Sequence, residues 1–183
     1  MAAADYRINV LEATEIASYL EPLAEILKAC VHDGANVSFV LPFGDFEAQA
    51  FWREKVAPSV ADGKRRLLVA EVDGVMAGTV QLNLEMTPNQ AHRGEVSKLL
   101  VHPRFRRRGI GQALMREVER QAIGAERWLL TLDTADATAE RIYRALGFTV
   151  AGSIPAFARH PMEDRWEATT YMYKILEDIR PSN

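Results

Sequence analysis

The stretch Lys98-Leu99-Leu100-Val101-His102-Pro103-Arg104-Phe105-Arg106-Arg107-Arg108-Gly109-Ile110-Gly111-Gln112-Ala113 constrains the fold more than any other part of the chain. A strand pattern from Glu95 ends at Val101 and a short basic turn follows. An amphipathic helix then runs from Gly109 to about Ile123, with Ile110, Leu114, Val118 and Ala122 at four-residue steps. Such a junction is suited to anions. The first turn of a helix carries unpaired N–H groups and a partial positive charge, and glycine lets a phosphate approach them without Cβ interference. Charge and glycines alone leave a second reading open, a solvated basic turn ahead of a surface helix. No Gly-Lys-Ser/Thr follows, and Gly109-x-Gly111 lacks the third glycine of a dinucleotide fingerprint.

The flanking pattern predicts one mixed α/β domain over residues 1–183. Tyr6–Val10 reads as a strand. Thr14 is expected to cap a helix reaching about His32, with Pro22 able to kink it. The segment His32–Asp45 reads as a loop carrying exposed Phe39 and Phe43. Asp45 opens a second helix to about Asp62, with Phe46, Ala50, Phe51 and Val56 on one side. Leu67–Val72 and Val75–Glu85 form a hairpin about Asp73-Gly74. In the strand Glu95–Val101, alternation puts Glu95, Ser97, Leu99 and Val101 on one face and Val96, Lys98 and Leu100 on the other. Trp128–Leu132 reads as a strand buried on both faces, Ala137–Leu146 as a helix stopped by Gly147, and Thr149–Ile154 and Thr169–Leu176 as closing strands. Between those last two, Pro155–Glu167 reads as a loop, and Pro181–Asn183 as a frayed tail.

Several function classes are disfavoured. Lys and Arg total 22 against 25 Asp and Glu, a net charge of −3, which argues against a general nucleic-acid binder built on Arg104–Arg108. One cysteine, Cys30, excludes an intrachain disulfide and a paired-cysteine metal site, and fits a reducing, cytoplasmic setting. It sits in an apolar helical stripe and reads as a packed thiol. The start Met1–Tyr6 lacks the basic and apolar regions of a secretory signal, and apolar runs fall far short of the roughly 20 residues that span a bilayer. His92, His102 and His160 stand singly, so no metal site is expected; His102-Pro103 reads as a loop-shaping pair.

Arg106-x-x-Gly109-x-Gly111, directly after Leu-Val-His-Pro, resembles motif A of the GNAT family of acetyl-CoA-dependent N-acetyltransferases. Ala139-x-x-x-Tyr143-x-x-x-Gly147-Phe148 resembles that family's motif B. The resemblance covers about residues 66–175. His32-Asp33-Gly34-Ala35, the text from Asn89 to Pro103 and Leu132-Asp133-Thr134 are similar to the tabtoxin-resistance type of acetyltransferase. The resemblance implies a mixed, mostly antiparallel sheet of six to seven strands, splayed between the fourth and fifth, with about four helices.

It also implies acetyl-CoA as co-substrate and an acyltransferase acting on a primary amine of a small molecule, such as a toxin or antibiotic, by direct attack in a ternary complex. The chain would be a monomer or homodimer, without nucleic-acid or membrane partners. The alternatives are acetylation of a protein lysine or N-terminal amine, and a non-catalytic acetyl-CoA-binding module. Backbone groups of Leu99 and Val101 would pair with the pantetheine and acetyl carbonyl. N–H groups from Arg107, Arg108, Gly109, Ile110, Gly111 and Gln112 would hold the pyrophosphate, with the Arg106 and Arg108 side chains beside it and Ala139 and Tyr143 completing the cofactor site. Tyr143 would protonate the departing thiolate. The base would be Asp133, Glu95 or both. Asp136 stands where many relatives carry an asparagine that contacts the cofactor, a departure from the pattern. The His32–Asp45 and Pro155–Glu167 segments would choose the acceptor: Asp33, Asp164 and Glu167 would meet an ammonium, and Phe39, Phe43 and Phe157 an apolar stem.

Overall fold

The computed structural model describes residues 6–181. Met1–Asp5, on which the reading of the leader rests, and Ser182 and Asn183 of the expected tail lie outside them. Strands β1 Tyr6–Leu11, β2 Arg65–Val72, β3 Val75–Asn83, β4 Arg93–Val101, β5 Leu129–Thr134, β6 Thr149–Arg159 and β7 Trp166–Ile175 form one sheet. Their order is β1-β2-β3-β4-β5-β7-β6. Only β4 and β5 pair in parallel. Helix α1 spans Ile16–His32. A second helical body covers 45–61 as α2 Asp45–Ala50, a wide π-turn segment Phe51–Val56 and α3 Ala57–Ala61. Helix α4 spans Ile110–Gly124 and α5 Ala137–Ala145. This is the mixed, mostly antiparallel α/β fold expected from the sequence, with seven strands and four helical bodies.

Strands β2 and β3 are apolar at nearly every position because both of their faces are covered. Leu68, Ala70, Val80 and Leu82 meet Leu114, Met115 and Val118 of α4. Leu67 and Val69 turn the other way, toward Leu23, Ile26 and Leu27 of α1 and Trp52 of the second helical body. The β2–β3 turn has left-handed φ at both Asp73 (51°) and Gly74 (76°), the form whose twist suits a two-residue hairpin. Strand β4 and helix α4 together crowd Gly78: a Cβ there would stand 2.8 Å from the Leu100 carbonyl oxygen of β4 and 3.2 Å from Leu114 Cδ1 of α4.

Local expectations fail where tertiary context overrides them. Thr14 does not cap α1: the carboxylate of Glu15 accepts the Glu12 N–H at 2.8 Å and closes that turn itself. Pro22 does not break the helix. Ser18, whose carbonyl it deprives of a donor, faces solvent. In the second helical body the wide turn shifts the apolar stripe, so Phe46 is 76% exposed while Ala48, Trp52 and Val56 are buried. Phe43 is buried against Phe39 rather than exposed, with ring centroids 4.5 Å apart. Strand β5 buries Leu130 and Leu132 only on the α4 side, since no helix covers its other face. Only residues 160–165 of the expected Pro155–Glu167 loop are a loop: β6 and β7 extend to Ala158↔Glu167 and Arg159↔Trp166. Pro155 is tolerated because β6 is an edge strand, where a missing N–H costs no ladder bond.

The crowding at Gly78 gives a stability prediction. Gly78→Ala should lower the thermal midpoint by roughly 2–12 °C, from about 1–3 kcal/mol of overpacking at about 2–4 °C per kcal/mol for a chain of this size. Gly152→Ala, whose Cβ would meet nothing within 4 Å, should shift it by less than about 2 °C. Circular-dichroism melts of the two variants check both values.

Candidate functional site

Strand β4 does not finish its pairing with β5. The parallel ladder runs Arg93↔Leu129, Gly94↔Leu130 and Glu95↔Thr131, then ends. Beyond it β4 follows β3 to Val101 while β5 follows β7 to Thr134, and a gap opens between them. Lys98, with φ of 51°, sits at a bulge where the β3–β4 register passes from Gln81↔Ser97 to Thr79↔Leu100. The extra residue exchanges the faces. Val96, Leu99 and Val101 all face the α4 side, and Leu100 faces α1, in place of the plain alternation read from sequence. The N–H of His102 bonds Ala77 O at 2.9 Å. By alternation the Val101 backbone points away from β3, toward the gap. Its carbonyl accepts from Arg106 Nε at 3.3 Å, which leaves the N–H as its free group there.

The turn after β4 builds a cradle of backbone donors. Arg107 and Gly109 adopt left-handed φ of 63° and 79°, the kind of turn that gathers successive N–H groups into an anion-binding concavity. The first α4 hydrogen bond runs from Ala113 N to Gly109 O at 3.0 Å, so the N–H groups of Ile110, Gly111 and Gln112 precede the helical ladder. A Cβ on Gly109 would meet nothing within 4 Å; its need for glycine comes from backbone conformation. Gly111 lies where a Cβ would touch Val101, Ile142 and Leu99 at 3.8–4.0 Å, so the start of α4, the end of β4 and α5 converge there. Two arginine side chains expected beside phosphate have protein partners. Arg106 forms a close ion pair with Asp33 at the end of α1, and Arg108 stacks on Phe105 at 5.3 Å. Arg107 is exposed, and Ala139, in the first turn of α5, packs against the α4-side core.

Tyr143 lies on α5, 6% exposed, its ring 5.8 Å from that of Phe148. Burial pushes its phenol well above the ordinary tyrosine range, and the charges of Asp136 and Asp133 add to the shift. Asp136 is the helix cap, accepting the Thr138 N–H at 2.6 Å, a role that accounts for an aspartate at that position. Asp133 stands exposed at the end of β5, with Oδ2 held by Thr169 Oγ1 at 2.7 Å. Glu95 lies near the mouth of the gap in an ion pair with Arg93 Nη1 at 3.3 Å. That guanidinium also donates to Thr131 Oγ1 at 3.0 Å and, through Nε, to Gln90 Oε1 at 3.1 Å. Tyr143 and Asp133 are thus electrostatically linked, and Glu95 belongs to a separate network.

The two segments expected to flank the acceptor do meet. Leu41 N bonds Pro161 O at 2.9 Å, and Asn36 Nδ2 bonds Glu167 Oε2 at 3.0 Å. Of the three carboxylates expected there, Asp33 pairs with Arg106, Asp164 with Arg159 and Glu167 with Arg165. Phe157 packs on Tyr171 at 5.9 Å. His160 Nδ1 accepts two N–H groups of its own turn, His102 Nδ1 accepts from Arg104 N, and His92 stacks on Trp128 at 4.2 Å. Cys30 is 2% exposed, and burial pushes its thiol up to about 11 even though Arg106 lies beside it. Sequence reasoning missed that neighbour and gave Lys98 no role. Among the described residues no group of three or more His, Cys, Asp or Glu could hold a metal ion, and no helix is long and apolar enough to cross a membrane.

Comparison with known proteins sets this geometry in context. The chain is 28% identical over 112 residues to the L-amino acid N-acetyltransferase of Escherichia coli, covering 58% of this chain and 65% of that protein. It is 37% identical over 99 residues to mycothiol acetyltransferase of Mycobacterium avium, covering 52% and 31%. The matched region is therefore less than two thirds of either relative. In fold it is similar to a phosphinothricin acetyltransferase of Sinorhizobium meliloti solved in complex with acetyl-CoA, with TM-score 0.75 and 20% identity over 97% of this chain and 94% of that one. It is also similar to a ribosomal-protein-alanine N-acetyltransferase of Brucella melitensis, with TM-score 0.72 and 23% identity over 93% and 99%. The sequence model of the acetyltransferase (GNAT) family matches residues 23–148, well over half of the chain. The chain belongs to the acetyltransferase (GNAT) family.

Proposed function

We propose that the protein transfers an acetyl group from acetyl-CoA to a primary amine of a small molecule by direct attack in a ternary complex. The observation that carries this reading is the convergence at Gly111: donors of the α4 start, the unpaired edge of β4 and the Tyr143 helix meet around one gap. Uncommitted N–H groups of 110–112 fit a diphosphate, and the open β4 edge fits the amides of a pantetheine arm added like a strand. Similarity to the L-amino acid N-acetyltransferase of E. coli favours a small-molecule acceptor. The resemblance of residues 89–103 to the tabtoxin-resistance type favours Asp133 as base.

The residues divide the work by environment. The Val101 N–H faces the gap and would donate to the carbonyl oxygen as negative charge develops there. Asp133, solvent-exposed at the end of β5, accepts the acceptor ammonium's proton, directly or through water. Glu95 is occupied by Arg93 and orders the mouth of the gap. Tyr143 donates to the departing sulfur, and its raised pKa keeps it protonated for that task.

Five outcomes test the reading. Saturating acetyl-CoA, near 100 Kd, stabilises by about 2.7 kcal/mol, or roughly 5–10 °C here. Gly109→Val, which forces a β-branched residue into a left-handed turn, should lose most of that shift in a thermal-unfolding titration. Tyr143→Phe should lower kcat by about 10- to 10³-fold with acetyl-CoA affinity retained. Because the wild-type phenol is raised, its donor form persists as pH increases, so steady-state profiles should show no loss from phenol ionisation below about pH 10. Asp133→Asn should cost about 10²-fold at neutral pH and recover as the acceptor amine deprotonates in alkali. Glu95→Gln should cost less than about 10-fold; pH–rate measurements with both variants separate the two carboxylates.

A further inference from the structure

Lys98 is the bulge residue of β4, and its ammonium is half-buried on the α1 side of the gap. Its Nζ donates to Ser38 Oγ at 3.1 Å and lies 6.0 Å and 5.8 Å from the ring centroids of Phe39 and Phe51. Both hydrogen-bonded partners have left-handed backbones, φ 51° at Lys98 and 77° at Ser38. Neither residue favours that conformation, and strain of this kind collects at functional sites. Burial, joined by the charge of Arg65, holds the ammonium's pKa below its ordinary value, and the charge of Asp133 opposes that shift. Lys98 and Asp133 nevertheless form no ion pair. The nearest partner of the Asp133 carboxylate is Thr169, which occupies Oδ2 and leaves Oδ1. Lys98 lies three residues past the last ladder pair on β4 and Asp133 two residues past it on β5, so the two strands bordering the gap bring one positive and one negative group to it without an ion pair between them.

We propose that this separated pair recognises a zwitterionic α-amino acid, with Lys98 as the anchor for the acceptor's carboxylate. The proposal rests on the transferase reading above and names its substrate class. The acceptor's ammonium faces Asp133, which takes its proton, and the carboxylate faces Lys98 through a charge-assisted hydrogen bond. Phe39 and Phe51 give that end an apolar wall, which strengthens the charge pair by excluding water. The loop that supplies Ser38 and Phe39 is seated by the Asn36–Glu167 and Leu41–Pro161 bonds, so the anchor rests on a fixed support. A peptide N-terminus carries no adjacent carboxylate and gives Lys98 nothing to pair with.

The test measures CoA-thiol release with a panel of α-amino acids, each set against its own α-amide, which keeps the shape and removes the negative charge. Wild type should favour the acid of the best pair by about 10–100-fold in kcat/KM, the range of one charged hydrogen bond. Lys98→Met should bring that ratio close to one through the acceptor KM, with the KM for acetyl-CoA unchanged. Lys98→Gln serves as a second neutral variant, and Lys98→Arg should retain part of the preference. Equal use of acid and amide by wild type, or a preference that survives in the neutral variants, overturns the assignment. Turnover of other amines but of no amino acid overturns it as well, while leaving the transferase reading standing. Absence of any acetyl-CoA-dependent thermal shift in wild type would instead remove the transferase reading itself.

Discussion

The rest of the structure depends on the unfinished ladder between β4 and β5. Backbone N–H and C=O groups must find partners, and a parallel pair that stops after three residues leaves two edges without them. The fold sustains this because each strand is fixed elsewhere, β4 by its antiparallel ladder to β3 and β5 by its full pairing with β7. The gap is thus bordered by rigid elements. An extended ligand that enters it meets polar groups already aimed, so little ordering cost falls on the protein.

The bulge at Lys98 makes that edge usable. Without it, strict alternation would set Leu99 and Val101 on the same face as Glu95 and Ser97. With it, Leu99 and Val101 join the α4-side core beside Gly111, and Lys98 is directed to the α1 side. One inserted residue therefore separates the backbone surface suited to a thioester from the side-chain surface suited to an acceptor. The Asp33–Arg106 ion pair and the Arg106 bond to Val101 O then tie the end of α1, the phosphate-type turn and the end of β4 together. Arg106, expected from the sequence beside phosphate, thus also braces this junction through Asp33 and Val101.

The fold was legible wherever local pattern and tertiary demand agree. The Asp73-Gly74 hairpin, the α4 stripe and the helix stop at Gly147 need nothing beyond their own neighbours. Errors arise where a distant partner decides. A bulge changes the period of a strand without altering its composition, so the faces of β4 could not be read from alternation. Pro155 and Arg159 look like parts of a loop, yet an edge strand accepts both, and the turn is confined to residues 160–165. The motif residues of the candidate site were visible because their requirements are local: a left-handed glycine, a helix start, a tyrosine four residues before a stop. Lys98 was not, because its meaning comes from Ser38, Phe39 and Phe51, which lie far away in sequence.

Acetyl transfer asks one small region to hold a proton donor and a proton acceptor in opposite states. A phenol and a carboxylate ordinarily stand in opposite states at neutral pH, and depth widens that difference on the phenol's side. Tyr143 is buried on the core side of α5, where a phenolate would be poorly solvated, while Asp133 stands in water at the end of β5. The coupling between them works in the same direction, since the ionised Asp133 further disfavours a phenolate at Tyr143. In the roles proposed for them, protonation of Asp133 by the acceptor would remove that charge and ease donation from Tyr143 as negative charge grows on the sulfur, so the two proton movements would assist each other.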